Sequence, residues 1–327
     1  MCGRALVNYF VKRVIIYVIV FIVALNLAFI LPRLAPGSAA SILAGGNKFA
    51  PQAAALIANR FGLDKPLYEQ YIIYIHNIFS LPPYLGLSFE FYPQTVTSLF
   101  FVRFGWTMGL IIASFLLTIL MSYLMAAFSS IRRGGKFEFG SLYSSIVFHS
   151  IPVYWTAMVF LWVFGVWLNW APMSGNLAFN PGSGLAYVFS VVRHAILPVL
   201  ALTLSFNGFT YLLLRGSTQQ VMQSDYVLAA KTRGLKDTTV AFSYIVRNSL
   251  LPFVSFLAYS IGTLISLDVL IESVFAYPGI GDLLVDAIET RDYPVLDGSF
   301  VLIVAFIIIA GLIGDFVLLK LDPRLRK

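Results

Sequence analysis

Seven of the 15 acidic residues in this 327-residue chain fall between Asp268 and Asp297. Four of them, Asp268, Glu272, Asp282 and Asp286, are of the type that trades protons with water at a reacting bond. A hydrolase built on them needs a nucleophile with its base, or a metal motif such as H-E-x-x-H, and neither supports it here. With three histidines in all, His149 and His194 lack companions at a spacing that would hold a metal. Cys2 is the single cysteine, so no intrachain disulfide forms. A phosphate loop, G-x-x-x-x-G-K-[ST], is absent, and Gly45-Gly46-Asn47-Lys48 is too short to be one. The chain itself therefore does not hydrolyse ATP. A membrane-embedded hydrolase using the acidic cluster stays as an alternative that lacks a completed site.

The elements that must carry these residues are apolar. The chain is 59% hydrophobic and 11% charged, against about 25% charged in soluble domains. A soluble fold would lack the polar surface to cover itself, whereas lipid solvates an apolar exterior. Crossing a bilayer takes roughly 20 apolar residues. Stretches free of Asp, Glu, Lys and Arg run over Val14–Leu31, Phe104–Ile131, Phe139–Val192, His194–Leu214, Asn248–Leu267 and Gly298–Gly314. The third suits one helix and an uncharged loop, so six transmembrane helices are expected. The runs are continuous rather than alternating, which argues against barrel strands. The first exceeds the roughly 7–15 apolar residues of a signal peptide, so a retained anchor is expected.

Orientation follows from the basic residues. With the N-terminus in the cytoplasm, 15 of the 22 Lys and Arg lie in inside segments and seven outside. Both termini are then cytoplasmic. The net charge of +7 reflects this bias rather than a nucleic-acid partner.

The outside segment 32–103 should carry two short helices, one from Pro51 to Phe61-Gly62 and one with Pro66 in its first turn. In the second, Tyr68, Tyr71, Ile72, Ile75 and Phe79 recur at helical spacing. They fit an interfacial cap or a docking surface for an external partner. In the outside segment 268–297, Asp268 and Glu272 share one helical face at the end of the fifth span. They read as the mouth of a path attracting a cationic group, or as a solvated helix end. Tyr277-Pro278-Gly279 marks a turn, and Asp282–Thr290 a short helix with Leu283, Leu284, Ala287 and Ile288 on one face. Asp315, inside the last span, is expected to pair with a basic residue.

The inside segment from Arg215 to Asn248 is the most informative. Asp225 suits an N-cap, Tyr226–Arg233 a two-turn helix, and Gly234 the residue just past its end. Ala229-Ala230 at the centre would expose backbone and admit another surface closely. A second helix is expected from Asp237 through Val240 and Ile245 into the fifth span.

Ala229-Ala230-Lys-Thr-Arg-Gly234 resembles the cytoplasmic signature of ABC importer permeases. Asp225-Tyr226-Val227 and Arg247-Asn248-Ser-Leu-Leu-Pro252 are similar to the dipeptide/oligopeptide branch. So are Pro32-Arg33-Leu34-Ala35-Pro36-Gly37, Gly62-Leu63-Asp64-Lys65-Pro66-Leu67, Ser150-Ile151-Pro152-Val153-Tyr154-Trp155, Val274-Phe275-Ala276-Tyr277-Pro278-Gly279-Ile280-Gly281, Arg291-Asp292-Tyr293-Pro294 and Leu321-Asp322-Pro323-Arg324. Their order covers nearly the whole chain. Three positions depart from the pattern: Leu228 where an acid often opens the signature, Asp268 where a small or apolar residue is usual, and Ser38-Ala39-Ala40 after Pro36-Gly37.

The resemblance implies an all-α integral membrane protein, a type I ABC importer permease (MetI-like) bundle, with residues 1–327 as a single permease domain. It implies that 225–234 is a coupling helix, with Asp225, Tyr226, Ala229, Ala230, Arg233 and Gly234 meeting an ATPase. It further implies a second, similar permease, two ABC ATPases that bind ATP and Mg, and an external substrate-binding protein. The chain would sit multi-pass in the cell membrane. Peptides, oligosaccharides or nickel chelates are the cargoes implied. A secondary transporter, the other alternative, calls for repeated halves, and no convincing internal repeat is present.

Overall fold

The computed structural model describes residues 2–35, 59 and 62–321. The helix expected from Pro51 lies outside them, as does the terminal Asp322-Pro323-Arg324. The described chain is helical, with one isolated antiparallel bridge between Leu87 and Thr95. In chain order the helices are α1 (Cys2–Leu34), α2 (Leu67–Ile78), α3 (Val96–Ile131), α4 (Lys136–Ser150) and α5 (Val153–Phe160). A π-helical stretch, Leu161–Trp167, extends α5. Then come α6 (Leu185–Val221), α7 (Asp225–Thr232) and α8 (Asp237–Thr239). A second π-helical stretch, Val240–Val246, joins α8 to α9 (Arg247–Val274), and α10 (Ile280–Thr290) and α11 (Tyr293–Leu321) complete the order.

Among the described residues, four helices are long and apolar enough to cross a membrane, over Val11–Leu34, Val96–Ile131, Leu185–Val221 and Tyr293–Phe316. A fifth crossing is counted if α4 and the Val153–Trp167 rod, bent by 103° at their junction, form one span. Large apolar side chains such as Ile15, Ile19, Ile112, Leu116, Ile309 and Ile313 stand exposed on these helices, as lipid-facing surfaces require.

The chain divides into two compact units. The first comprises Met1–Trp106 and Gly279–Ile309. Here α2 lies on α1, where the Tyr71 hydroxyl donates to Asn26 at 2.9 Å and the Tyr74 hydroxyl to the Leu25 carbonyl at 3.2 Å. Of the expected α2 stripe, Tyr71 packs inward against Phe29 while Tyr68, Ile72 and Phe79 face out. Pro66 is the N-cap, just before the first turn. In α10, Leu283, Leu284 and Ala287 are buried, but Ile288 is exposed and does not share their face.

The second unit comprises Thr107–Pro278 and Ala310–Lys327. At its centre α6 packs against α4, α5 and α9. At Gly208 α6 and α4 approach closely: a Cβ there would stand 2.6 Å from the Ser145 carbonyl oxygen. Hydrogen bonds fasten α6 to α3. The Ser122 hydroxyl donates to Asn207 Oδ1 at 2.7 Å, and Ser129 and Tyr211 share a bond of 2.8 Å. Side-chain hydrogen bonds of this kind join helices where lipid removes the hydrophobic drive to associate.

Candidate functional site

The signature segment forms a short, well-terminated helix. Ser224 rather than Asp225 is its N-cap, one residue earlier than expected. Ser224 Oγ turns back to the Val221 carbonyl, so no side chain caps the free N–H groups, and Asp225 sits in the first turn, where its negative charge is favourable to the positive end of the helix dipole. The far end matches expectation. Gly234 has φ +76°, its N–H reaches the Lys231 carbonyl at 2.9 Å, and the Leu235 N–H reaches Ala230 at 3.4 Å. Those two bonds form a Schellman stop, which requires a left-handed residue and so favours glycine.

Packing splits the alanine pair. Val227 and Ala230 are buried in a cluster with Val240 and Ile245, which lie in the π-helical stretch leading to α9. Ala230 is 3% exposed, so it cannot present backbone to another protein. The reason is helical spacing: 227 and 230 share a face, and the apolar one turns inward. The outward face carries Asp225, Tyr226, Ala229 and Arg233, all exposed, with Leu228 exposed at its edge. Tyr226, Ala229 and Arg233 follow at i, i+3 and i+7, so one narrow stripe with a small residue at its middle remains open. The helix is thus rigidly attached on one side and available on the other.

The acid pair is placed differently from both sequence readings. Asp268 and Glu272 are 0% exposed, so they form neither a mouth nor a solvated helix end in this conformation. Helix α9 continues past them to Val274, and the chain folds back so that the Tyr277 N–H meets the Glu272 carbonyl at 2.9 Å. Thr107 Oγ1 donates to Glu272 Oε1 at 2.6 Å, while neither Asp268 oxygen has a hydrogen-bond partner among the described residues. Tyr277 is buried beside them. Its burial first, then the charges of Glu272 and Asp268, push the phenol above its ordinary range. Asp315 is buried as well. Asp282 and Asp286 belong to another unit, where Arg103 Nη1 holds Asp282 at 2.8 Å. Burial and then the Asp282 charge raise the Asp286 carboxyl above its usual value. The four acids therefore do not assemble into one hydrolytic cluster within either unit.

Three of the ion pairs among the described residues were not evident from sequence spacing. Arg33 Nη1 meets Asp297 at 2.9 Å, with its guanidinium 3.7 Å from the centre of the Phe29 ring. Arg103 pairs with Asp282 as above, and Arg215 Nε donates to Glu138 Oε1 at 3.0 Å. Each joins residues at least 77 positions apart. The one available signal was a charge beside or within an apolar run. Among the described residues no group of three His, Cys, Asp or Glu side chains is placed to hold a metal.

Two family models match the chain. One, described as a binding-protein-dependent transport system inner membrane component, covers residues 118–327. The other, for the N-terminal part of such membrane components, covers residues 6–111. The chain is also similar to curated proteins over nearly its full length. It is 30% identical to a di/tripeptide transport system permease protein of Pseudomonas aeruginosa, over 98% of this chain and 99% of the relative. It is 27% identical to a dipeptide transport system permease protein of Escherichia coli, with the same coverage. An oligopeptide transport system permease protein of Bacillus subtilis is 27% identical, over 97% of this chain and 98% of that protein.

Proposed function

The chain belongs to the family of inner membrane components of binding-protein-dependent transport systems, and on that basis we propose that it is the permease subunit of an ATP-driven peptide importer. Peptides are the cargo because relatives named for di/tripeptide, dipeptide and oligopeptide transport align with it from end to end. It works with a second, similar permease, two ATPase subunits that bind ATP and Mg, and an external binding protein that delivers cargo. Six spans cross the membrane: the four long helices, the bent α4–α5 pair, and α9. The 28 residues of α9 give a rod of about 42 Å. Both termini and α7 lie in the cytoplasm. ATP-driven closure of the ATPases moves α7, and α9 follows through the π-helical stretch, opening the path to one side at a time.

The observation that carries this reading is the two-sided character of α7. Its buried face, Val227 and Ala230, is fixed to the root of α9, while Tyr226, Ala229 and Arg233 face out. A helix built this way passes a push from outside the chain into a span. The test is disulfide capture. Ala229→Cys in the assembled importer is expected to cross-link to a cysteine placed in the ATPase groove and to stop ATP-dependent peptide uptake by proteoliposomes. Cross-linking that leaves uptake unchanged would overturn the coupling role.

A further inference from the structure

Helix α4 and the rod that follows it meet at 103°, and the pair is apolar enough to be one crossing. Pro152 has no N–H, so it cannot donate to the carbonyl of Phe148 one turn back. The Ile151 N–H still reaches Val147 at 3.1 Å, and α5 restarts with Trp155 and Thr156 both donating to the Pro152 carbonyl. The last carbonyls of α4 and the first N–H groups of α5 thus fall outside either helix. Within hydrocarbon, such backbone is tolerated only where protein buries it or where it lines a cavity.

A cavity of about 430 Å³ lies at the break, bounded by His149, Pro152, Ser205, Phe209, Phe256 and Thr263. Its rings form a continuous wall, with Phe209 and Phe256 centred 4.9 Å apart and His149 and Phe209 5.6 Å apart. Ser205 Oγ is buried with no hydrogen-bond partner among the described residues. An aromatic wall with a few polar groups beside irregular backbone suits a ligand that is flat and apolar at one end and amide-like at the other. A sugar ring fits less well. It carries a hydroxyl on nearly every carbon, and the cavity has polar side chains for only a few.

We propose that this cavity is a cargo subsite, taking an aromatic side chain of the transported peptide against Phe209 and Phe256 and an adjoining peptide group at Ser205 and the open backbone near Pro152. The proposal rests on the peptide-importer reading above. It is tested in the complete importer, reconstituted in proteoliposomes, with the tripeptides Ala-Phe-Ala and Ala-Ala-Ala. Phe209 is 39% exposed, so truncating it does not hollow the core. Phe209→Ala is expected to lower uptake of Ala-Phe-Ala about tenfold relative to Ala-Ala-Ala, the loss of one aromatic contact. Ser205→Leu, which fills the cavity, is expected to slow uptake of both tripeptides. Equal effects of Phe209→Ala on the two tripeptides, or none, would overturn the subsite and leave the importer reading standing. Failure of the unaltered importer to take up either tripeptide would remove the importer reading and the subsite with it. A benzoylphenylalanine tripeptide, irradiated in the unaltered complex, is expected to mark residues 148–156, residues 205–209, Phe256 or Thr263. Marks confined to other segments overturn the subsite even if both variants fail to assemble.

Discussion

Ala229 and Ala230 are chemically identical neighbours with opposite duties. Their difference lies in which way each faces on an eight-residue helix. Replacing Ala230 with Leu forces three extra carbons against Val227 and Ile245, and overpacking of this kind costs about 1–3 kcal/mol. Replacing Ala229 with Arg adds bulk and charge on the open side, where nothing in the chain is displaced. Thermal unfolding of the purified permease is therefore expected to shift down for Ala230→Leu and stay put for Ala229→Arg. Co-purification of the ATPases should be lost in the second variant. The reverse pattern would mean that the inner and outer faces are exchanged. Asp297 offers a second residue-scale test. It is buried against Arg33, and removing one partner of a buried pair leaves the other charge uncompensated, at a cost of about 3–5 kcal/mol. Asp297→Asn is expected to lower the unfolding midpoint by several degrees, and Arg33→Gln combined with it to recover part of the loss. A double variant no better than the single would mean that Arg33 is held by Phe29 and the Phe29 carbonyl rather than by Asp297.

At the scale of elements, α4 and α6 depend on a missing side chain. A methyl on Gly208 would press on the Ser145 carbonyl and on His149, backbone that cannot swing aside. Gly208→Ala is expected to separate the two helices and cost about 1–3 kcal/mol, visible as lost thermal stability of the detergent-purified protein. An unchanged midpoint would show that α4 yields freely. The helices themselves were legible in the sequence wherever a long uncharged run marked them, as over Phe104–Ile131, although α3 begins earlier, at Val96, and takes in Arg103. The Schellman end of α7 was legible too, because Gly234 is a local signal. Other features were not. The face of α7 that packs is decided by Val240 and Ile245, which come later in the chain and turn inward only once α7 folds back on them. Asp268 and Glu272 followed the same logic. Spacing showed that they share a helix face, but their burial depends on α9 running on to Val274 and on the return of Tyr277. The 103° break was hinted at by Pro152, yet a proline fixes only the loss of one hydrogen bond, and the angle comes from packing on α6 and α9.

For the molecule as a whole, the property with the clearest physical handle is which side of the membrane each segment occupies. The basic residues divide 15 to seven in favour of cytoplasmic termini. The rule rests on Lys and Arg close to span ends, so Arg60 and Lys65, far from both flanking spans, carry little weight. Arg33 and Arg103 are each bound to an aspartate, which further narrows the set of outside cations exposed to the lipid headgroups. What remains points one way: Lys231, Arg233 and Lys236 are all exposed, clustered around α7. In a Cys2→Ser background, single cysteines at Leu81, Phe179 and Lys236 each occupy exposed positions. A membrane-impermeant maleimide added to right-side-out vesicles is expected to label Leu81→Cys and Phe179→Cys at once and Lys236→Cys only after the vesicles are opened. Immediate labelling of Lys236→Cys would put α7 on the outer surface, out of reach of any ATPase. The stripe of Tyr226, Ala229 and Arg233 would then need a different partner.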